Sequence, residues 1–163
     1  MTNTNWSAAA ATALALLTTS SFAVTGNIIN GVTGTEVCIK KPAVCVRLAT
    51  TPLSESGSKT GYRWGGEDIE PPRFLVSQLN VTVGGDEVFV PISAFVDLGT
   101  PRDVEVTATH RGFDVIIRGG DAATAYRAIL VFERRSLIRR RVQLSEFPIE
   151  AAEETKYRFN LNP

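Results

Sequence analysis

From Phe74 onward, apolar and polar residues alternate with a period of two, the pattern of strands with one face in a core. Leu79, Val81 and Val83 alternate with Gln78, Asn80 and Thr82, and Val88 and Val90 resume the pattern after Gly84-Gly85-Asp86. A turn centred on Gly85-Asp86 pairs Val83 with Val88 and Val81 with Val90. Further on, Val104, Val106, Ala108 and His110 share one face, as do Phe113, Val115 and Ile117. A turn at Arg111-Gly112 sets His110 across from Phe113, Ala108 from Val115 and Val106 from Ile117. On the opposite face it places Glu105 across from Arg118, an opposite-charge cross-strand pair.

Tyr126 to Phe132 is apolar on both faces, as a central strand buried on both sides should be, and Leu137 to Leu144 is its predicted partner. Pro148 can open a short helix through Glu154, with proline at the first helical position and acids in the first turn. Tyr157-Arg158-Phe159 reads as a last short strand. Upstream, residues 24–35 are punctuated by Gly and Asn and form a linker or a loose first strand. Residues 49–71 carry Pro52, Ser54 to Ser58, Gly65-Gly66 and Pro71-Pro72, the composition of a long surface loop. The pattern predicts an all-β chain, an antiparallel β-sandwich of about seven or eight short strands with one short C-terminal helix. A partly open barrel is the alternative.

The first residues break this pattern. No charged side chain precedes Glu36, and residues 8–17 form an apolar run of Ala, Leu and one Thr. Ser21 and Ala23 are small residues two apart, the pattern of a signal-peptidase site cutting after Ala23. The run is shorter than the ~20 residues that a membrane-spanning helix needs. Residues 1–23 therefore read as a signal peptide, although residues 1–7 lack the usual Lys or Arg. An Ala-rich extension that stays attached is the other reading. After residues 24–35, residues 36–163 form a single domain.

The two cysteines fit this destination. A four-residue loop over 40–43 pairs Ile39 with Val44 and hence Cys38 with Cys45, opposed closely enough for a disulfide. Such a bond persists in an oxidising compartment. A redox pair would favour two intervening residues at a helix N-terminus, whereas six intervene here on a strand pattern.

Composition narrows the chemistry. Seventeen Lys+Arg balance 17 Asp+Glu in 163 residues, and the pI is near 6.6. That disfavours a globally basic nucleic-acid binder. At 44% hydrophobic residues the chain is not an acidic disordered polymer. One His and two Cys are too few for a zinc ribbon. No Gly-x-Gly-x-x-Gly, P-loop or Gly-x-Ser-x-Gly occurs, and no cofactor is expected.

Candidate sites stand beside plainer readings. His110 is the one histidine on which a triad could be built, but the predicted register puts Asp114 opposite Thr109, on the other face. Glu67, Asp68 and Glu70, or Asp97 and Asp121, could supply paired carboxylates for glycoside hydrolysis or oxygen ligands for calcium, or be solvated acids. Arg134, Arg135, Arg139, Arg140 and Arg141 cluster in sequence. On a strand Arg140 faces away from Arg139 and Arg141, and Glu133, Glu146, Glu150, Glu153 and Glu154 could neutralise them. Asn80-Val81-Thr82 matches a glycosylation sequon at a strand centre. Tyr62, Arg63 and Trp64 lie between glycines and are residue types common at binding hot spots. Trp64 could instead plug the sandwich edge.

The sequence thus points to an exported, non-enzymatic binding protein of the cell envelope, periplasmic or extracellular, without stable membrane insertion. Its expected partner is an envelope protein, in an inhibitor- or immunity-like role, or a polysaccharide. The alternative is a carbohydrate-binding or carbohydrate-active hydrolase domain.

Overall fold

The computed structural model describes residues 22–28, 34–53, 64 and 71–159. Among them ten strands form two antiparallel sheets, β1 (Ala23–Asn27), β2 (Thr35–Ile39), β3 (Val44–Pro52), β4 (Phe74–Val83), β5 (Asp86–Val88), β6 (Pro101–Ala108), β7 (Gly112–Gly119), β8 (Tyr126–Glu133), β9 (Ser136–Leu144) and β10 (Glu153–Lys156). One sheet has six strands in the order β1-β6-β7-β8-β9-β10, and the other has four in the order β2-β3-β4-β5. The chain crosses between sheets twice, after β1 and after β5, and otherwise runs as two meanders. This is the all-β sandwich that the alternation predicts.

The inner faces bury their apolar rows against each other. Val44, Val46, Leu48, Val76 and Val81 come from the smaller sheet, and Val104, Val106, Val115, Ile117, Leu130 and Phe132 from the larger. Phe113 stacks on Phe132 across the β7–β8 pair, with ring centres 4.7 Å apart.

The β2–β3 hairpin has the expected register, with Ile39 opposite Val44 and a Cys38–Cys45 disulfide across it. Two other hairpins are shifted by two residues. In β4–β5 the loop is Gly84-Gly85, so Val83 faces Asp86 and Val81 faces Val88. Both glycines have positive φ, 63° and 91°, as a tight two-residue hairpin turn requires. In β6–β7 the turn is His110-Arg111, with Ala108 opposite Phe113, Val106 opposite Val115 and Val104 opposite Ile117. Gly112 does not make the turn. It lies in β7, where a side chain would run into the Phe132 carbonyl of β8. Glu105 still meets Arg118, but diagonally, because Asp103 is the residue directly opposite.

Further expectations change. Residues 148–154 form no helix. Turns cover 145–149, and Glu153–Lys156 become β10, with Glu154 facing Arg141 and Thr155 facing Arg140. A seven-residue helix has little stability of its own, while β10 gains two ion pairs and backbone bonds from β9. Residues 157–159 follow that strand rather than forming one. β8 is buried on one face only: Tyr126, Ala128, Leu130 and Phe132 point inward, while Arg127 is exposed and Ile129 and Val131 are half-buried on the outer face. Of the stretch read as a linker or a loose first strand, residues 24–27 lie in β1, and β3 runs into the expected loop as far as Pro52.

Candidate functional site

Strand β4 carries an interrupted edge. On the side away from β3, β5 pairs only with Val81–Val83, and Leu98 to Thr100 pair only with Phe74 to Val76. Among the described residues no strand lies beside Ser77 to Asn80 there. The chain bows outward over residues 89–97 and leaves a groove of about 500 Å³ lined by Ser77, Gln78, Asn80, Glu87, Phe89, Val90 and Phe95. The bow begins just after β5 and contains Pro91, which cannot donate to a ladder.

The bow exposes apolar side chains. Phe89 is 61% exposed, Ile92 65% and Val96 41%. A bond from the Val96 N–H to the Ile92 carbonyl (3.0 Å) closes an α-turn that follows the 3-10 segment Ile92–Ala94 and puts those two on one side of it. The Phe89 ring packs edge-on against Phe159, which stacks on Tyr157. Below this lip, Arg140 of β9 points inward and is almost fully buried. It donates to Asp97 Oδ2 (2.5 Å) at the end of the bow and to Glu153 Oε1 on β10. This ion triad ties the bow to the six-stranded sheet. Arg135, in the β8–β9 turn, reaches Asp86 (2.7 Å) and the Val83 carbonyl (3.3 Å), a second tie between the sheets.

The arginine cluster therefore disperses as the alternation predicts, with Arg140 facing away from Arg139 and Arg141. Glu153 takes Arg140, and Glu154 takes Arg141 (3.5 Å), whereas Glu146 and Glu150 pair with none of them. Glu133 pairs with Arg111 (3.5 Å).

His110 and Asp114 are not brought together as a catalytic pair. His110 sits exposed in its turn and accepts a bond from Arg111 Nε (3.1 Å). It lines an open cleft of about 740 Å³ with Glu133 and Ser136, but Arg111 holds both the imidazole and the carboxylate. Asp114 lies on the outer face opposite Thr107, not Thr109. Asp97 belongs to the triad, and Asp121 caps the 3-10 turn Ala122–Thr124, so each has its own local role. Among the described residues no group of three His, Cys, Asp or Glu could hold a metal ion. Glu67, Asp68, Glu70, Tyr62 and Arg63 lie outside the described residues. Trp64 is half-buried and has an interaction partner. Asn80 is exposed beside the groove.

The outer face of the six-stranded sheet is charged. Arg118 bridges Asp103 (2.6 Å) and Glu105 (2.5 Å). Burial pushes the Glu105 carboxyl up, but bonds from Arg118 and Thr107 outweigh it and leave its pKa below the ordinary value. Asp114 behaves oppositely. Burial dominates, Arg139 and Arg127 only partly offset it, and its Oδ1 is buried without a hydrogen-bond partner, so its pKa is raised. A carboxyl that holds its proton more tightly when folded opposes folding once ionised. The penalty is absent below the ordinary aspartate pKa and complete above the raised one. Asp114→Asn is therefore expected to stabilise the domain at neutral pH, by less than about 1 kcal/mol because water still reaches the site. The gain should vanish near pH 3, where the wild-type carboxyl is protonated in both states. Urea melts at both pH values check this.

The groove and its lip were not legible in the sequence. The signal was there as a broken alternation, Phe89-Val90-Pro91-Ile92, but nothing local says that such a run stays exposed. Comparison with protein-family models, curated proteins and solved structures finds no match to this chain.

Proposed function

We propose that the protein is an exported, non-enzymatic binding module of the cell envelope that takes an extended segment of a partner protein into the β4 groove. The observation that carries this reading is the free edge at Ser77 to Asn80 beside the exposed Phe89, Ile92 and Val96. An open sheet edge offers backbone donors and acceptors to an added strand, and adjacent apolar side chains give that strand specificity. Exposed apolar clusters of this kind mark interaction sites. Export is supported by the apolar N-terminal run and the disulfide. A cut after Ala23 removes the first residue of β1 and leaves Val24–Asn27 to pair with β6.

The test has two readouts. The mature protein from the envelope should have the intact mass of a chain starting at Val24, and a mature chain starting at Met1 rejects export. Envelope protein captured by the domain is identified by mass spectrometry, purified and titrated. Phe89→Ser with Ile92→Ser should weaken binding at least tenfold in a domain that still unfolds cooperatively. Loss of binding in Trp64→Ala alone would move the site to the loop of Tyr62, Arg63 and Trp64. If polysaccharide is retained and no protein is, the carbohydrate-binding alternative replaces this reading.

A further inference from the structure

At the far end of the outer sheet face lies a small pocket of about 190 Å³ that the proposed docking groove does not use. The space equals roughly six waters at ~30 Å³ each. Three arginines contribute to its lining, Arg102 on β6, Arg118 on β7 and Arg127 on β8. Arg118 and Arg127 are directly opposed across β7–β8, an arrangement that repels. Asp103 and Glu105 answer only part of that charge, and both accept hydrogen bonds from Arg118. Glu105 also feels Arg127 at longer range. Arg102 and Arg127 are in no ion pair among the described residues, so three positive groups face two negative ones.

The walls are firm. Tyr126 is buried with its hydroxyl donating to the Gly99 carbonyl (2.9 Å). Gln143 Nε2 donates to the Pro148 carbonyl (2.7 Å), which holds the 145–148 turn against the opening. On either side of Pro148, Phe147 is 58% exposed and Ile149 88%.

We propose that this pocket binds a phosphoryl oxyanion. Guanidiniums present paired N–H donors that match phosphate oxygens, and the apolar floor of Tyr126, Leu144 and Pro148 strengthens each charge contact. Repulsion between opposed arginines is relieved when an anion bridges them. Phe147 and Ile149 stand where an apolar group attached to that phosphate would lie. The phosphate chemistry is shared by a lipid headgroup and a soluble phosphorylated molecule, and the experiment separates them.

The isotope-labelled domain is titrated with inorganic phosphate while the arginine side-chain resonances are followed. Saturable shifts at Arg102, Arg118 and Arg127 are expected, weakened at least tenfold in Arg102→Ala with Arg127→Ala. Neither side chain is in an ion pair among the described residues, and a thermal melt confirms folding. In parallel, co-sedimentation is measured with vesicles of phosphatidylcholine alone and with phosphatidylglycerol added. Binding only to the anionic vesicles, lost in Phe147→Ser with Ile149→Ser, assigns a lipid headgroup. Phosphate shifts without vesicle binding assign a soluble phosphorylated ligand. Absent phosphate shifts, or shifts unchanged in the arginine variant, overturn the proposal.

Discussion

Arg140→Ala is expected to lower the unfolding free energy by about 3 kcal/mol, the largest loss of any single exchange considered for this domain. The guanidinium is the hub of the triad, with a side chain only 3% exposed, and it holds Asp97 and Glu153 together. Alanine leaves those carboxylates facing each other without a counter-charge. Asp97 already has one buried oxygen, Oδ1, without a hydrogen-bond partner. The cost is that of stranding the acids, not the net worth of the triad. Arg140 Nε is itself buried and unpaired, so the intact triad contributes modestly relative to an apolar filling. Two variants separate these quantities. Arg140→Met with Asp97→Asn removes the more buried of the two stranded charges along with the guanidinium and should recover more than half of the loss. Arg140→Lys keeps the charge but can no longer span both acids, and should fall between. Urea denaturation at neutral pH measures all three. A loss below about 1 kcal/mol for Arg140→Ala would show that water enters and solvates the acids. The triad also fastens the 89–97 bow through Asp97, so amide exchange in the bow should quicken most in this variant.

How the chain encodes these features explains what could be read from it. A period-two pattern states which residues share a face and nothing more. Val104, Val106 and Ala108 do face Phe113, Val115 and Ile117, but a shift of two keeps every face intact, so alternation alone admits both registers. Turn chemistry breaks the tie. Gly84-Gly85 takes the two left-handed positions of its hairpin, and Gly112 is needed for close approach to β8, which frees His110-Arg111 to turn. The Cys38–Cys45 hairpin was legible in full because the four-residue loop over 40–43 and the two opposed cysteines agree on one register. The C-terminal stretch was misread because its partners are remote. Glu153 and Glu154 look like first-turn helix acids locally, and only the fold brings Arg140 and Arg141 beside them. The groove and the arginine pocket are non-local too. One needs an interruption between two pairing partners of β4, and the other needs three strands in register at one end of a sheet.

Removal of the disulfide is expected to cost the domain about 2.5 kcal/mol. The bond joins residues seven apart in sequence, Cys38 and Cys45. Closing a loop of that size removes roughly 8 cal/mol/K of entropy from the unfolded chain, which gives this figure at 25 °C. The effect is not evenly distributed over the fold. Among the described residues β2 is an edge strand whose ladder partner is β3 alone, whereas β8 has partners on both sides. Cys38→Ala with Cys45→Ala should therefore speed amide exchange in β2 far more than in β8. Reduction of the wild-type protein should reproduce the urea midpoint of the double variant. Matching midpoints for oxidised and reduced wild type would refute a stabilising role. The native sheet register does not depend on the bond once folding is complete, because Val37, Val44 and Val46 are buried in the shared core and a one-residue slip would expose them. The staple acts on the unfolded chain and on the edge strand. A domain kept reduced would have a smaller margin, so expression in a reducing compartment should yield a protein that melts lower and is cleaved first near β2.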